Sequence, residues 1–218
     1  MKLLRTLSAV AVLAMGADVA RADFVAYSTP TTIIGNQGYA GSVGLDFNVT
    51  GAISVTQLGA FDSGANGFAG PVTVSLYNRT TQAIVTTTTF AAGTGGTLVG
   101  SDRFVSLGVP VTLAAGAYSI VATYTLNDPI YNANRNGNTA PSTLNSGSGA
   151  IAFTGTGRYG FSNTYPTNTD GEIVVNPFAA GTFQYNPVAV PEPTSVALLG
   201  LGAAGLVLRA RRRKPAAV

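Results

Sequence analysis

An all-β fold, a two-sheet antiparallel sandwich of the jelly-roll kind, is predicted for the body of this chain on three observations. Apolar and polar residues alternate with period two in several segments, as half-buried strands require. Turn-forming residues punctuate those segments. No stretch of the body shows a convincing 3.6-residue periodicity. The same reading puts a signal helix before the body and a transmembrane helix after it.

The first element is residues 1–22. Met1–Arg5 is short and positive, and Thr6–Gly16 is an apolar run of the length of a signal-peptide core. Ala20 and Ala22 then offer small residues at the two positions a signal peptidase reads, which makes Asp23 the new first residue. The alternative is an uncleaved anchor, but the apolar run is too short to span the roughly 30 Å hydrocarbon core comfortably.

Residues 23–186 follow as one domain-sized body. Val43, Leu45, Phe47 and Val49 alternate with Gly44, Asp46 and Asn48. Val72, Val74 and Leu76 alternate with Thr73, Ser75 and Tyr77, and Ile120, Ala122, Tyr124 and Leu126 make a third set. Ile84–Phe90 is β-branched and threonine-rich, which suits a strand. Turn signals fall at Asn66-Gly67, Asn78-Arg79-Thr80, Gly93–Gly96 and Asp170-Gly171. These give about ten strands. No internal repeat indicates a solenoid. Gly59–Asp62, Val72–Tyr77 and Val109–Tyr118, the last with Leu113, Ala115, Gly116 and Tyr118 in a Leu-x-Ala-Gly-x-Tyr turn, resemble exported bacterial β-sandwich modules. Fold alone does not give function.

Composition excludes several chemistries. The 218 residues include no cysteine and no histidine. Disulfides, thiolate metal sites, cysteine nucleophiles, Ser-His-Asp triads and imidazole metal sites are therefore out of reach. The formal charge of +3 is segregated. The first 22 residues and the last ten are basic, while the middle sets four arginines (Arg79, Arg103, Arg135, Arg158) against eight carboxylates. A mildly acidic body does not displace counterions from phosphates, so nucleic acid is not an expected partner.

Two loops carry candidate site residues. In residues 127–149, Asp128, Asn132 and Asn134 could offer oxygens to calcium, and Tyr131 could stack on a sugar. The alternative is a solvated loop. In Tyr159–Glu172, Asp170 and Glu172 could share a strand face or a calcium ion, or simply end a hairpin. Its aromatics, Tyr159, Phe161 and Tyr165, cap one end of the sandwich or form a sugar platform. The threonines Thr86–Thr89 invite an ice-binding reading, but one run is not an array. Asn48-Val49-Thr50 and Asn78-Arg79-Thr80 match the glycosylation acceptor pattern by chance.

The C-terminus has three parts. Residues 187–193 form a proline-rich linker ending in Pro191-Glu192-Pro193, the tail of a punctuated stretch over Asn176–Pro193. Within it Phe178, Phe183 and Tyr185 could pair as a final strand. Residues 194–208 are an apolar span, read as the transmembrane helix. Residues 209–218 are a basic tail, with Arg209, Arg211, Arg212, Arg213 and Lys214 holding that end in the cytoplasm.

The order Pro-Glu-Pro, short Gly/Ala/Leu-rich span, Arg-rich end resembles the PEP-CTERM protein-sorting signal of Gram-negative bacteria. The resemblance covers about residues 190–214. It implies that a membrane enzyme, exosortase, recognises the tail and cleaves near Pro191-Glu192-Pro193. It also implies an inner-membrane-anchored precursor with a periplasmic domain, delivered to a cell surface or extracellular matrix. The family's link to biofilm and exopolysaccharide is part of the same implication.

Three functional readings follow. The first is a non-catalytic surface or matrix protein, sorted and processed through its tail, with signal peptidase and exosortase as partners and no cofactor. The second is a carbohydrate-binding module acting on exopolysaccharide. The third is an enzyme with paired carboxylates. The body has one glutamate and six aspartates, and nothing in the sequence places two of them face to face.

Overall fold

The alternating segments form the strands the pattern demands. In the computed structural model, which describes residues 23–31, 34–35, 39–124, 143–161, 164–170, 178–188, 200–206 and 209, Val43, Leu45, Phe47 and Val49 of β3 (Ser42–Val49) all point into the core. Val72, Val74 and Leu76 of β5 (Val72–Asn78) and Ile120, Ala122 and Tyr124 of β9 (Gly116–Tyr124) do the same. The threonine run is strand β6 (Ile84–Phe90).

These strands belong to a six-stranded sheet. It is completed by β11 (Ile151–Gly160) and β12 (Asn168–Asp170), in the order β12-β11-β3-β9-β5-β6. The facing sheet has the order β1-β13-β4-β8-β7. Its members are β1 (Phe24–Val25), β4 (Ile53–Phe61), β7 (Thr97–Val99), β8 (Asp102–Leu113) and β13 (Gly181–Pro187). A short ribbon pairs β2 (Tyr27–Ser28) with β10 (Thr143–Leu144). Every pairing is antiparallel. Thirteen strands are described, eight of them with seven or more residues, against the ten or so expected.

The core fills the space between the two sheets. Phe47 meets Phe183 of β13 ring to ring, Tyr118 of β9 stacks on Phe47, and Leu58, Ile120 and Tyr185 close around them. Burying such side chains contributes about 1.5–3 kcal/mol each. Tyr118 also fulfils the turn signal, because its hydroxyl donates to Ala114 O at 3.1 Å where the chain leaves β8 for β9.

The first strand, β1, pairs with the last, β13, and the first long strand, β3, lies between β9 and β11. Pairing order is set by long-range contacts, which local alternation does not encode. Of the three aromatics that could pair as a final strand, Phe183 and Tyr185 lie in β13 and Phe178 is buried just before it, and Pro187 ends the strand. Pro187 is tolerated as the strand's last residue. Val188 N–H then donates to Ala52 O at 2.8 Å, tying the chain down just past the strand.

The expected transmembrane helix over 194–208 is not supported. Residues 200–206 are helical, which is about 10 Å of rise. Among the described residues no helix is long and apolar enough to cross a membrane. Residues 194–199 and 207–208 lie outside the described residues, as does the signal helix.

Candidate functional site

The outer face of the six-stranded sheet holds a fully buried carboxylate. Asp46 sits at an outward position of β3, where alternation predicts solvent, yet it has no exposed surface. Ser119 stands directly opposite on β9 and donates its hydroxyl to Asp46 Oδ1 at 2.5 Å. Arg158 Nε donates to the same oxygen at 2.6 Å. Arg79 Nε lies 3.2 Å from Asp46 Oδ2, a charge contact that lacks the angle of a hydrogen bond. Two guanidinium groups thus share one carboxylate.

Local structure explains how both arginines arrive. Arg79 follows β5 in the turn to β6. Asn78 Oδ1 accepts the N–H groups of Thr80 and Thr81 at 2.9 and 3.1 Å, and Arg79 N–H donates to Ala117 O at 3.0 Å. Arg158 follows a bulge in β11, where Phe153 pairs with Phe47 and Gly157 with Leu45. The insertion of an even number of residues keeps the facing pattern, so Arg158 projects on the outer side above Gly44. Tyr165, beyond β11, covers the group. The Arg158 guanidinium carbon is 4.9 Å from the Tyr165 ring centroid, and Tyr165 meets Tyr77 edge-on at 5.4 Å.

A cleft of about 310 Å³ opens beside these side chains, lined by Arg79, Thr80, Gln82, Ala117, Arg158, Tyr165 and Thr167. Among the described residues its lining contains two cations and no carboxylate. The terminal nitrogens of Arg79 make no hydrogen bond to any described residue, and Arg158 spends one of its own on Pro166 O at 3.4 Å. The cleft therefore presents N–H donors and excess positive charge.

A second charged group lies at the β4–β8 end of the other sheet. Arg103 Nε donates to Asp62 Oδ2 at 2.5 Å, and Arg103 also reaches Thr94 O and Ala65 O. Neighbouring Asp102 is fully buried and accepts Thr29 N–H at 2.7 Å. Burial pushes its carboxyl up to about 8, and the bond from Thr29 offsets only part of that. Tyr27 and Tyr124 beside it are likewise raised, by burial first and by the Asp102 charge second. These groups pin a loop to the sandwich; Ser101 N–H donates to Thr29 O at 2.6 Å and its hydroxyl to Pro30 O at 3.0 Å.

Of the residues singled out from sequence, Asp170 is exposed at the end of β12. Glu172 lies outside the described residues, as do Asp128, Tyr131, Asn132 and Asn134. Among the described residues no group of three or more Asp, Glu, His or Cys could hold a metal ion. Tyr159 packs inward, edge-on to Tyr39 and Phe178, so it is a packing residue. Phe161 is 84% exposed beside Tyr39. The threonines of β6 are used in the sheet: Thr89 bonds Thr73, and Thr87 bonds Ser75 and Val74 O. Sequence reasoning missed the Asp46–Arg79–Arg158 group. The available signal was scarcity: a body with four arginines does not scatter them, and Arg79, Arg103 and Arg158 each contact a buried aspartate.

The tail's named positions, Ala20 and Ala22 at the front and Pro191, Glu192, Pro193, Arg211, Arg212, Arg213 and Lys214 at the back, lie outside the described residues; Arg209 is exposed. Among the described residues, Val188 is the last that bonds to the sandwich, and it stands immediately before the tail. The family model for the PEP-CTERM protein-sorting motif matches residues 189–213. The molecule is thus a β-sandwich followed directly by a C-terminal sorting signal, an exported protein whose precursor passes a membrane and is sorted through exosortase. No curated protein and no solved structure matches the chain.

Proposed function

We propose that this protein is a non-catalytic cell-surface or extracellular-matrix component. Signal peptidase removes residues 1–22, and the sandwich folds in the periplasm while the tail anchors it to the inner membrane. Exosortase then cuts near Pro191-Glu192-Pro193 and frees the sandwich for the surface. The observation that carries this reading is the adjacency of the two parts: the sorting motif begins at residue 189, one residue after Val188 bonds Ala52. A cut at the motif leaves every described strand whole. The missing histidine and cysteine support a non-catalytic body, as does a cleft lined by arginines rather than by facing carboxyls.

The test is to replace Pro191-Glu192-Pro193 by three alanines in the native host. The proposal expects full-length chain to accumulate in the membrane fraction and to vanish from the surface. Unchanged delivery of the altered protein would refute the processing step.

A further inference from the structure

We infer that the cleft between the β5–β6 turn and β11 is a binding site for a carboxylated sugar, with Arg79 and Arg158 holding the carboxylate. This goes beyond the sorting reading and stands without it.

Charge is the first argument. Asp46 neutralises one guanidinium and two are present, so the cluster keeps one positive charge at the mouth of the cleft. A structural ion pair would need only one arginine. The second argument is geometry. Both Nε atoms face Asp46, both arginines line the cleft, and Arg79 keeps 27% of its side chain exposed. Paired N–H donors on a planar group match a carboxylate in two-point fashion. The third argument is preorganisation. Asp46, itself held by Ser119, fixes the arginines from below, Tyr165 fixes Arg158 from the side, and the Asn78 turn fixes Arg79. Side chains already held lose little entropy on binding.

The rest of the lining selects the ligand class. Thr80, Gln82 and Thr167 bring hydroxyl and amide groups, both donors and acceptors, and Tyr165 brings an aromatic ring. That set suits a ring bearing hydroxyls better than an apolar acid. The volume falls near the lower end of the roughly 300–1,000 Å³ typical of ligand pockets, which suits one sugar ring.

The experiment is a titration of the ¹⁵N-labelled full chain, held in a zwitterionic detergent, following arginine Nε–H signals. The probes are sodium glucuronate, glucose, sodium acetate, sodium sulfate and N-acetylglutamate. The expected result is a saturable shift of the Arg79 and Arg158 signals with glucuronate, at least tenfold tighter than with acetate or sulfate, and none with glucose. The Arg103 signal, buried at the other charged group, stays still. Arg79→Gln, a change in a surface turn, weakens glucuronate at least tenfold while leaving the Arg103 signal in place. An absent shift, a response that survives Arg79→Gln, or acetate, sulfate or N-acetylglutamate binding as tightly as glucuronate overturns the inference.

Discussion

Phe47 of β3 and Phe183 of β13 face each other across the sandwich with ring centroids 4.9 Å apart and planes tilted by 35°. This contact joins the central region of one sheet to a strand that ends four residues before Pro191. The folded body therefore depends on residues that lie next to the sorting motif. Phe183→Ala leaves a cavity beside Phe47 and Tyr185, and is expected to cost about 3–5 kcal/mol. Urea denaturation followed by tyrosine fluorescence measures it, as a lower midpoint with an unchanged slope.

The Asp46 group carries the second prediction. Asp46→Ala leaves Arg158, which is mostly buried, without its anion, and a broken buried pair costs about 3–5 kcal/mol. Arg79→Ala costs much less, because Arg79 reaches water and makes no hydrogen bond to Asp46. Denaturation midpoints of the two single variants and the double variant give the coupling directly. Equal costs for Asp46→Ala and Arg79→Ala would contradict the division of roles described for the two arginines.

Asp102 makes stability depend on pH in an unusual direction. Its carboxyl sits at about 8 in the folded state, against about 3.9 in an unfolded chain. The folded state therefore holds a proton that the unfolded state releases. The stability linked to this group is full below about pH 4 and is lost as pH rises towards 8. Asp102→Asn keeps an acceptor for Thr29 N–H and cannot ionise. Its melting temperature is expected to be flatter than the parent's between pH 5 and 8.

Gly100 tests the backbone of the same corner. Its φ is +64°, and a Cβ there would lie 2.2 Å from Thr29 O. Gly100→Ala should destabilise by about 2 kcal/mol or more, combining left-handed strain with that clash. Gly95 has nothing within 4 Å of an added Cβ, so Gly95→Ala should stay within about 0.5 kcal/mol of the parent. Thermal melts of the pair, run side by side, distinguish this from a general sensitivity of the loop.

The legible parts of the fold were those written in local alternation. Val43 to Val49, Val72 to Leu76 and Ile84–Phe90 could be read because each strand shows one apolar face or a dense β-branched run. β13 was harder, because Pro177, Pro187, Pro191 and Pro193 surround it and proline argues for an extended linker. Its burial comes from partners more than a hundred residues away, Leu58 and Val55 among them. The strand order was hidden for the same reason. At the site, Asp46 looked like an ordinary wet-face residue of β3. Only the β11 bulge and the Asn78 turn bring Arg158 and Arg79 over it, and neither leaves a periodic trace. The sorting tail was legible throughout, since its parts are contiguous in the chain and a family model matches residues 189–213.

Intact-mass spectrometry on protein from the native host, comparing surface and membrane fractions, bears most directly on the sorting of this sandwich by its tail. A surface species that begins at Asp23 and ends near Pro193, with β13 retained, is the predicted result. A surface species that still carries Leu208 and the arginine tail would contradict it.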